Sequence, residues 1–329
     1  MGVNGPGRGL VASSSRPARG ADSPSADEMH HHRCDVVIVN YNAGALLVEG
    51  VRSLFASHPG RIVVVDNAST DGSLIDLEKL SASAPITIIR NPGNLGFAAG
   101  CNIGAGASAA QAVLFLNPDC RMEPAALEVM LAELFSAPKI GMVGPSVLNP
   151  DGSQQRGSRR KIPTPMSGFT RAFGLTYLGR LWPDMFGDFN QHADELPSGP
   201  SDVEAISGSC MLVKREAMDE VGPWDEGYFL HCDDLDWCMR FSQAGWRIVF
   251  VPEARAIHVG GASSRSRPIF VEWHKHRGMM RFYRKFFSKE YPAPLLWLVG
   301  AGVWLRFGAI AAVYGLRNAL GALRAGRAS

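Results

Sequence analysis

Acidic side chains stand at three places in this chain where their neighbours make them chemically useful. Ile62-Val63-Val64-Val65 runs into Asp66, and Ala112-Val113-Leu114-Phe115-Leu116 runs into Asn117-Pro118-Asp119. The third place is Asp233-Asp234-Leu235-Asp236, at the start of a helical pattern. A carboxylate at a strand end can accept hydrogen bonds from a nucleobase or ribose. It can also hold Mg2+ or Mn2+, which favour carboxylate oxygens alongside diphosphate oxygens. Carboxylates clustered after the apolar Gly227-Tyr228-Phe229-Leu230 raise one another's pKa, which suits a general base for a hydroxyl. His258, just before Gly260-Gly261, could complete a metal site with Asp119. Each feature has an ordinary alternative. Asp66 and Asp119 precede turn formers that they could cap, and an acidic cluster suits a helix N-terminus.

The elements that must carry these residues follow from periodicity. Short β-branched runs closed by turn residues read as buried parallel strands, and open sheets of this kind bind ligands beyond the carboxyl ends of their strands. The pattern predicts strands over 36–39, 61–65, 86–89 and 112–116. Helices over 44–57, 71–80, 96–108 and 123–135 alternate with them, which implies right-handed βαβ units. After Gly141 the pattern changes. A strand over 142–148 meets the turn Asn149-Pro150-Asp151-Gly152, and 157–201 is loop-like, with Arg159, Arg160 and Lys161. A strand over 203–213 is interrupted near Gly208, a helix runs from 231 to 244, and short strands cover 247–251 and 255–259.

Residues 265–289 are basic, with Arg265, Arg267, Lys275, Arg277 and Arg281 among aromatic side chains, and 295–305 and 307–316 are apolar, split by Arg306. Together the two stretches are long enough to span a bilayer. An Arg near the centre of a span costs about 2.5–3.5 kcal/mol, so a helix lying in the interface suits the chain better. Anionic lipid would add roughly 1 kcal/mol per nearby cation. The alternative is a helical pair packed on the domain.

Composition narrows the classes further. The formal net charge of the 329 residues is +2, which argues neither for nor against nucleic acid. Beside an apolar stretch, the basic segment suits a membrane surface better than a nucleic acid. Six cysteines form no CxxC pair and point to a reducing, cytoplasmic compartment. His231, Cys232 and Cys238 match no familiar zinc spacing. Residues 1–32 are rich in Gly, Ser, Pro and Ala and lack the apolar core of a secretory signal, so they read as a disordered tail. His30-His31-His32 reads as a solvated stretch beside it.

Seven motifs stand in order: Val37-Ile38-Val39-Asn40-Tyr41-Asn42, then Val65-Asp66-Asn67-Ala68-Ser69-Thr70-Asp71-Gly72-Ser73, then Asn91-Pro92-Gly93-Asn94-Leu95-Gly96-Phe97-Ala98-Ala99-Gly100-Cys101-Asn102. Leu116-Asn117-Pro118-Asp119, Ser207-Gly208-Ser209-Cys210-Met211-Leu212-Val213, Asp233-Asp234-Leu235-Asp236 and His258-Val259-Gly260-Gly261-Ala262-Ser263 complete the series. Over residues 34–290 the chain resembles the family 2 inverting glycosyltransferases of GT-A fold, in particular their bacterial rhamnosyltransferase-like branch. The resemblance implies an α/β fold with a mostly parallel nucleotide-binding sheet and helices on both faces. It places a GT-A domain over 33–264 and membrane-associated C-terminal helices over 265–329.

By the same resemblance Asp66 would contact the base of a nucleotide sugar, with Asn40, Asn42, Asn94 and Asn117 in the donor pocket. Asp119 would be the surviving carboxylate of the family's DXD motif and His258 a second ligand of Mg2+ or Mn2+. Asp234 would be the base. Asp233 stands where Glu is usual, which leaves the choice between the two open. Asp236 and Trp237 would face the acceptor. The expected reaction moves rhamnose from dTDP-rhamnose to a saccharide or lipid-linked saccharide, at the inner face of the cell membrane, in cell-surface polysaccharide synthesis. UDP-linked galactofuranose, N-acetylglucosamine or glucose are alternative donors. Two rivals come from other classes. A dinucleotide-dependent oxidoreductase would rest on Gly104-Ala105-Gly106, which falls inside a helical pattern and so misses the strand-to-helix context. A non-catalytic glycan- or lipid-binding module would have no use for an intact acidic cluster.

Overall fold

A computed structural model describes residues 1, 33–172, 191, 194–261 and 267–325. The tail read as disordered, apart from Met1, and part of the long loop over 157–201 lie outside the described residues. The first half alternates strands and helices as the periodicity predicts. β1 (Cys34–Asn40), β2 (Ile62–Asp66), β3 (Ile86–Arg90) and β4 (Ala112–Leu116) are connected by α1 (Ala45–Ser53), α2 (Ser73–Ser81) and α3 (Phe97–Gly106). β1 pairs in parallel with β2 and β4, and β2 with β3.

The second half adds β5 (Cys120–Met122), α4 (Ala126–Leu134), β6 (Ile140–Leu148), β7 (Arg159–Arg160), α5 (Pro165–Ala172), β8 (Ser201–Asp202), β9 (Ala205–Ile206) and β10 (Cys210–Lys214). After these come α6 (Arg215–Val221), α7 (Asp233–Gln243), β11 (Arg247–His258), α8 (Pro268–Phe287) and α9 (Ala293–Ala325). One sheet of nine strands runs β3-β2-β1-β4-β10-β6-β11-β5, with β8 on β11, while β7 and β9 form a separate ribbon. The sheet over β1 to β4 is parallel. β10 enters antiparallel between β4 and β6, and β5 antiparallel on β11, so the whole sheet is mixed.

Successive strand residues feed two cores, one on each face, because their side chains alternate. Val36, Ile38, Ile62 and Val64 pack with α1, α2 and α4; Val37, Val39, Val63 and Val65 pack with α3, α7 and the inner face of α8. Burial on both sides explains why these strands read as unbroken apolar runs. α3 lies flush on the sheet: a Cβ added at Gly104 would fall 2.3 Å from Val37, and one at Gly100 would fall 2.6 Å from Val39. Gly104 therefore serves close packing within α3, as the helical context of Gly104-Ala105-Gly106 predicts.

Two differences from the sequence reading have physical causes. The pair of short strands over 247–259 is one strand, β11, kept continuous through a register shift between Val251 and Arg255. β5 is three residues long, too short to show a period, and exists because β11 pairs with it. At the C-terminus the two apolar stretches form one helix, α9. Its segment Ala293–Asn318 is long and apolar enough to cross a membrane by length and composition, and little of its most apolar stretch is buried. That low share separates it from a core helix.

Candidate active site

The ends of β1 and β2 make the first corner. Asn40 and Asp66 are register partners, and the Asn40 side-chain amide donates to Asp66 Oδ1 at 2.8 Å and to Ser73 Oγ at 2.9 Å. Ser69 donates to both Asp66 oxygens, from its hydroxyl at 2.6 Å and its backbone N–H at 3.0 Å. The loop is tied back to β1 where Asn42 Oδ1 accepts the Thr70 N–H at 2.7 Å. Asn94 Oδ1 accepts the Gly96 N–H at 3.0 Å. Gly96 has φ +91° and a backbone so close to Phe229 that a Cβ would fall 2.7 Å from the Phe229 carbonyl oxygen. Only glycine fits both demands. Asp66, Asn42 and Asn94 thus share one end of the sheet. Asn40 needs a correction: it is 0 % exposed, so it holds Asp66 from behind rather than lining a pocket.

A second corner forms where β4 ends. Cys120 N–H donates to Asn117 O, closing the Asn-Pro-Asp turn into β5. β5 pairs with β11 so that Cys120 faces His258, which places the histidine beside Asp119. His258 Nε2 lies 3.1 Å from Asp119 Oδ1 and 3.2 Å from Asn117 Nδ2. Gln155 completes this corner, and the sequence reading missed it. Its Nε2 donates to the His258 carbonyl oxygen and to Asn149 Oδ1, both at 3.1 Å. Its Oε1 therefore faces His258 Nδ1, at 2.7 Å, and Nδ1 must donate. Nε2, the other ring nitrogen, is turned toward Asn117 and Asp119.

This donor set suits a hard divalent cation. Mg2+ and Mn2+ are commonly held by one or two protein carboxylates, with phosphate oxygens and water filling the remaining positions. Among the described residues no group of three or more His, Cys, Asp or Glu gathers around one point, so a cation here would draw its other ligands from substrate. A histidine ligand whose second nitrogen is hydrogen-bonded is the usual arrangement in metal sites.

The acidic cluster opens α7. His231 and Cys232 both adopt positive φ, 67° and 65°, and turn the chain sharply into the helix. Asp233 Oδ1 accepts the Asp234 N–H at 3.0 Å, and Asp234 Oδ1 accepts the Leu235 N–H at 2.8 Å. Asp234 Oδ2 also meets Arg160 Nη2 at 2.5 Å and the Gly208 N–H at 3.1 Å. A Cβ at Gly208 would press on the Asp234 Cβ at 3.1 Å, so the glycine lets the Ser207–Ser209 loop approach the carboxylate. The two aspartates titrate apart. Burial, then the neighbouring charge of Asp234, pushes Asp233 up to about 7. Burial would raise Asp234 too, but the Arg160 guanidinium and the backbone amides outweigh it and hold that carboxyl below its usual range. Arg160 is the second residue that sequence reasoning missed. Its only signal was the basic triplet in the long loop.

Asp236 and Trp237 do not face an acceptor, which corrects the sequence expectation. Both are 0 % exposed. Asp236 lies two residues beyond Asp234, roughly 200° around the helix, where it accepts from Arg240 and Lys285 at 2.8 and 2.7 Å. Trp237 packs in the core against Trp224 with ring centroids 4.3 Å apart and donates its Nε1–H to Gly222 O.

The sheet and the clustering of acidic residues at its ends invite comparison with known proteins. Among solved structures, a mannosyltransferase from Pyrobaculum calidifontis, PcManGT, in complex with GDP-Man and Mn2+, superposes with TM-score 0.54 at 16 % identity, over 88 % of this chain and 80 % of that one. GalNAc-T7 with UDP, GalNAc and Mn2+ gives TM-score 0.52 at 17 % identity, over 82 % and 54 %. Both likenesses establish the fold, GT-A-like. In sequence, the N-acetylglucosaminyl-diphospho-decaprenol L-rhamnosyltransferase of Mycobacterium tuberculosis is 29 % identical, over 82 % of this chain and 90 % of its own length. A second family model, Glycosyl transferase family group 2, matches residues 179–320. Residues 35–222, more than half of the chain, match the model of Glycosyl transferase family 2, and the chain belongs to that family of glycosyltransferases, in its rhamnosyltransferase-like branch.

Proposed function

We propose that the protein transfers rhamnose from dTDP-rhamnose to a saccharide carried on a lipid, with inversion at the anomeric carbon and with help from Mg2+ or Mn2+. The observation that carries the chemistry is the pairing of Asp119 with His258 in the same molecule as the carboxylates that open α7. The donor and acceptor rest on likeness to the Mycobacterium tuberculosis relative, whose name specifies a rhamnosyl group and a diphospho-decaprenol carrier.

In this reading Asp66 receives the nucleobase, with Asn42, Asn94 and Asn117 nearby. Asp119 and His258 would hold the metal, whose positive charge would offset the charge that builds on the departing diphosphate. Asp234 acts as the base. Arg160 keeps it ionised at neutral pH, so it is ready to take the proton of the acceptor hydroxyl. The acceptor oxygen then attacks the anomeric carbon from the face opposite the diphosphate. A C–O bond forms, the sugar–phosphate bond breaks, and the nucleoside diphosphate leaves with the bonding electrons. Asp233 is the second reading for the base. Its Oδ2 is buried and accepts no hydrogen bond from a described residue, and a proton affinity near neutrality suits general-base work.

We assign catalysis to residues 33–264 and membrane contact to 265–329, at the cytoplasmic face. α9 exposes Trp297, Leu305 and Leu316, at 75 %, 73 % and 63 %, as a peripheral membrane helix would. A thermal-shift panel with dTDP, UDP, GDP and NAD, each with Mn2+, Mg2+ or chelator, tests the proposal. A ligand at a hundred times its Kd adds about 2.7 kcal/mol. Metal-dependent stabilisation by dTDP alone supports the reading; UDP alone moves the donor to a UDP-sugar. Stabilisation by NAD without metal would sink the transferase. Deleting residues 291–329 should abolish membrane association and activity on lipid acceptors.

A further inference from the structure

The turn that follows β6 does more than reverse the chain. β6 pairs with β11 through Leu148 and Ile257, so Asn149 leaves the sheet next to His258. Residues 149–155 then double back. The Gly152 N–H donates to Asn149 O at 2.9 Å and the Asn149 N–H to Ser153 O at 2.8 Å, with Gly152 in the left-handed region at φ 82°. Beyond the turn, the Gln155 N–H donates to Val147 O at 2.8 Å. Ser158, 1 % exposed, accepts the Val147 N–H at 2.9 Å. The returning segment is thus held to β6 on both sides of the Gln155 side chain.

Inside this turn the side chains form one directed series of hydrogen bonds. It starts at Asp151, whose exposed carboxylate, once ionised, can only accept. Ser153 gives it a hydroxyl hydrogen at 2.6 Å and a backbone N–H at 3.0 Å, and these two bonds hold the Asp151 carboxyl below its usual range. With its one hydrogen committed, Ser153 Oγ accepts from Asn149 Nδ2 at 2.9 Å. Asn149 therefore turns Oδ1 toward Gln155, whose Nε2 donates to it at 3.1 Å. The second hydrogen of that Nε2 goes to the His258 carbonyl oxygen at 3.1 Å, which leaves Oε1 for His258 Nδ1 at 2.7 Å. Each group is oriented by the one before it, and the first is a surface charge.

We propose that Asp151, Ser153 and Asn149 are positioning residues that, through Gln155, hold the His258 ring with its hydrogen on Nδ1 and with Nε2 turned to Asp119. In the transferase reading, on which this consequence rests, the turn then sets how firmly the site grips a divalent cation. The nitrogen that a histidine offers to a metal is chosen by the hydrogen bond its other nitrogen makes. Linked hydrogen bonds also polarise one another. Asp151 and Ser153 are exposed, while Asn149 and Gln155 are half-buried. Water competes at the outer end, so the effect of breaking a link grows toward His258.

The test reads the ring itself, by nitrogen NMR of the full chain with isotope-labelled histidine, at about pH 8, above the ordinary imidazole range. The His258 signals are assigned by their loss in His258→Ala. In EDTA, with no nucleotide sugar, wild-type His258 should carry its hydrogen on Nδ1. Asn149→Leu should move a measurable share of it to Nε2 and weaken Mn2+ binding about fivefold, less than loss of a direct partner would. Ser153→Ala should do the same to a smaller degree. Asn149→Asp still accepts from Gln155 and should restore the wild-type tautomer. Gly152→Ala strains the turn at its left-handed residue but keeps every relay side chain, and should leave tautomer and Mn2+ affinity near wild type. Thermal melts establish that the variants are folded, and Asn149→Ala serves if Asn149→Leu is not. A wild-type hydrogen on Nε2, or folded Asn149 variants with tautomer and affinity unchanged, overturns the proposal. So does a Gly152→Ala effect as large as that of Asn149→Leu, because the fold of the turn would then hold the ring. A wild type that binds no Mn2+, with tautomers that respond as described, supports the relay and sinks the metal of the transferase reading.

Discussion

At the corner of β1 and β2, Asn40, Asp66, Ser69 and Ser73 are at most 33 residues apart in the chain and hydrogen-bond one another. At the other corner Asp119 meets a histidine 139 residues away, and Asp234 meets an arginine 74 residues away. The first corner is settled by two adjacent parallel strands and one loop. The second depends on β5 pairing with β11 and on a two-stranded ribbon presenting Arg160. In the proposed reading, near-sequence construction would give a rigid receptor for a part of the substrate that does not react. Far-sequence construction would gather the groups that handle charge and protons, and its assembly reports on the whole fold.

That contrast can be broken from the far side with the largest effect. Asp234→Asn should lower the transfer rate about 10³-fold with donor affinity unchanged, read by single-turnover kinetics and calorimetry. If Asp233→Asn shows that loss instead, the base is Asp233. His258→Ala should weaken Mn2+ binding about 10²-fold, as counted by electron paramagnetic resonance of free Mn2+, while the melting temperature moves little. Gln155→Leu should weaken Mn2+ by roughly 10-fold to 100-fold without touching any first ligand, and Gln155→Glu should restore much of it. On the near side, Asn40→Ala should cost about 1–3 kcal/mol of stability and raise the donor KM severalfold with kcat little changed. An equal fall in kcat would mean that the two corners are not separable.

The smallest effect concerns pH. Asp233 is raised from 3.8 to about 7 in the fold. Between those values the folded chain keeps a proton that the unfolded chain has released, so stability is full at low pH and falls as pH rises through about 7. Asp233→Asn should flatten that limb and melt roughly 5 °C above wild type at pH 8 while matching it at pH 4.

Asp66 at the near corner and Asn117-Pro118-Asp119 at the far one were legible in the sequence, because the apolar runs that end in them announce both strand ends and the residues they deliver. Asn40 was placed on the right strand but given the wrong partner. Nothing in a one-dimensional pattern says that a strand-end amide turns inward to hold its neighbour. Asp236 and Trp237 were drawn to the acceptor by their nearness to Asp234 in sequence, yet helix geometry sends them into the core. Gln155 and Arg160 sit in a stretch without periodicity, and only the pairing of β11 with β5 and of β7 with β9 shows what they touch.

All six cysteines are buried and unpaired, and burial pushes every resolved thiol, Cys34, Cys101, Cys120, Cys210, Cys232 and Cys238, upward in pKa. A thiol that is both protonated and covered is a poor nucleophile, so the folded chain should be nearly silent toward maleimides. A single cysteine placed on an exposed turn would then be the one alkylated position, and a fluorophore or spin label there could follow a lipid's arrival without first stripping the native sulfurs from the core.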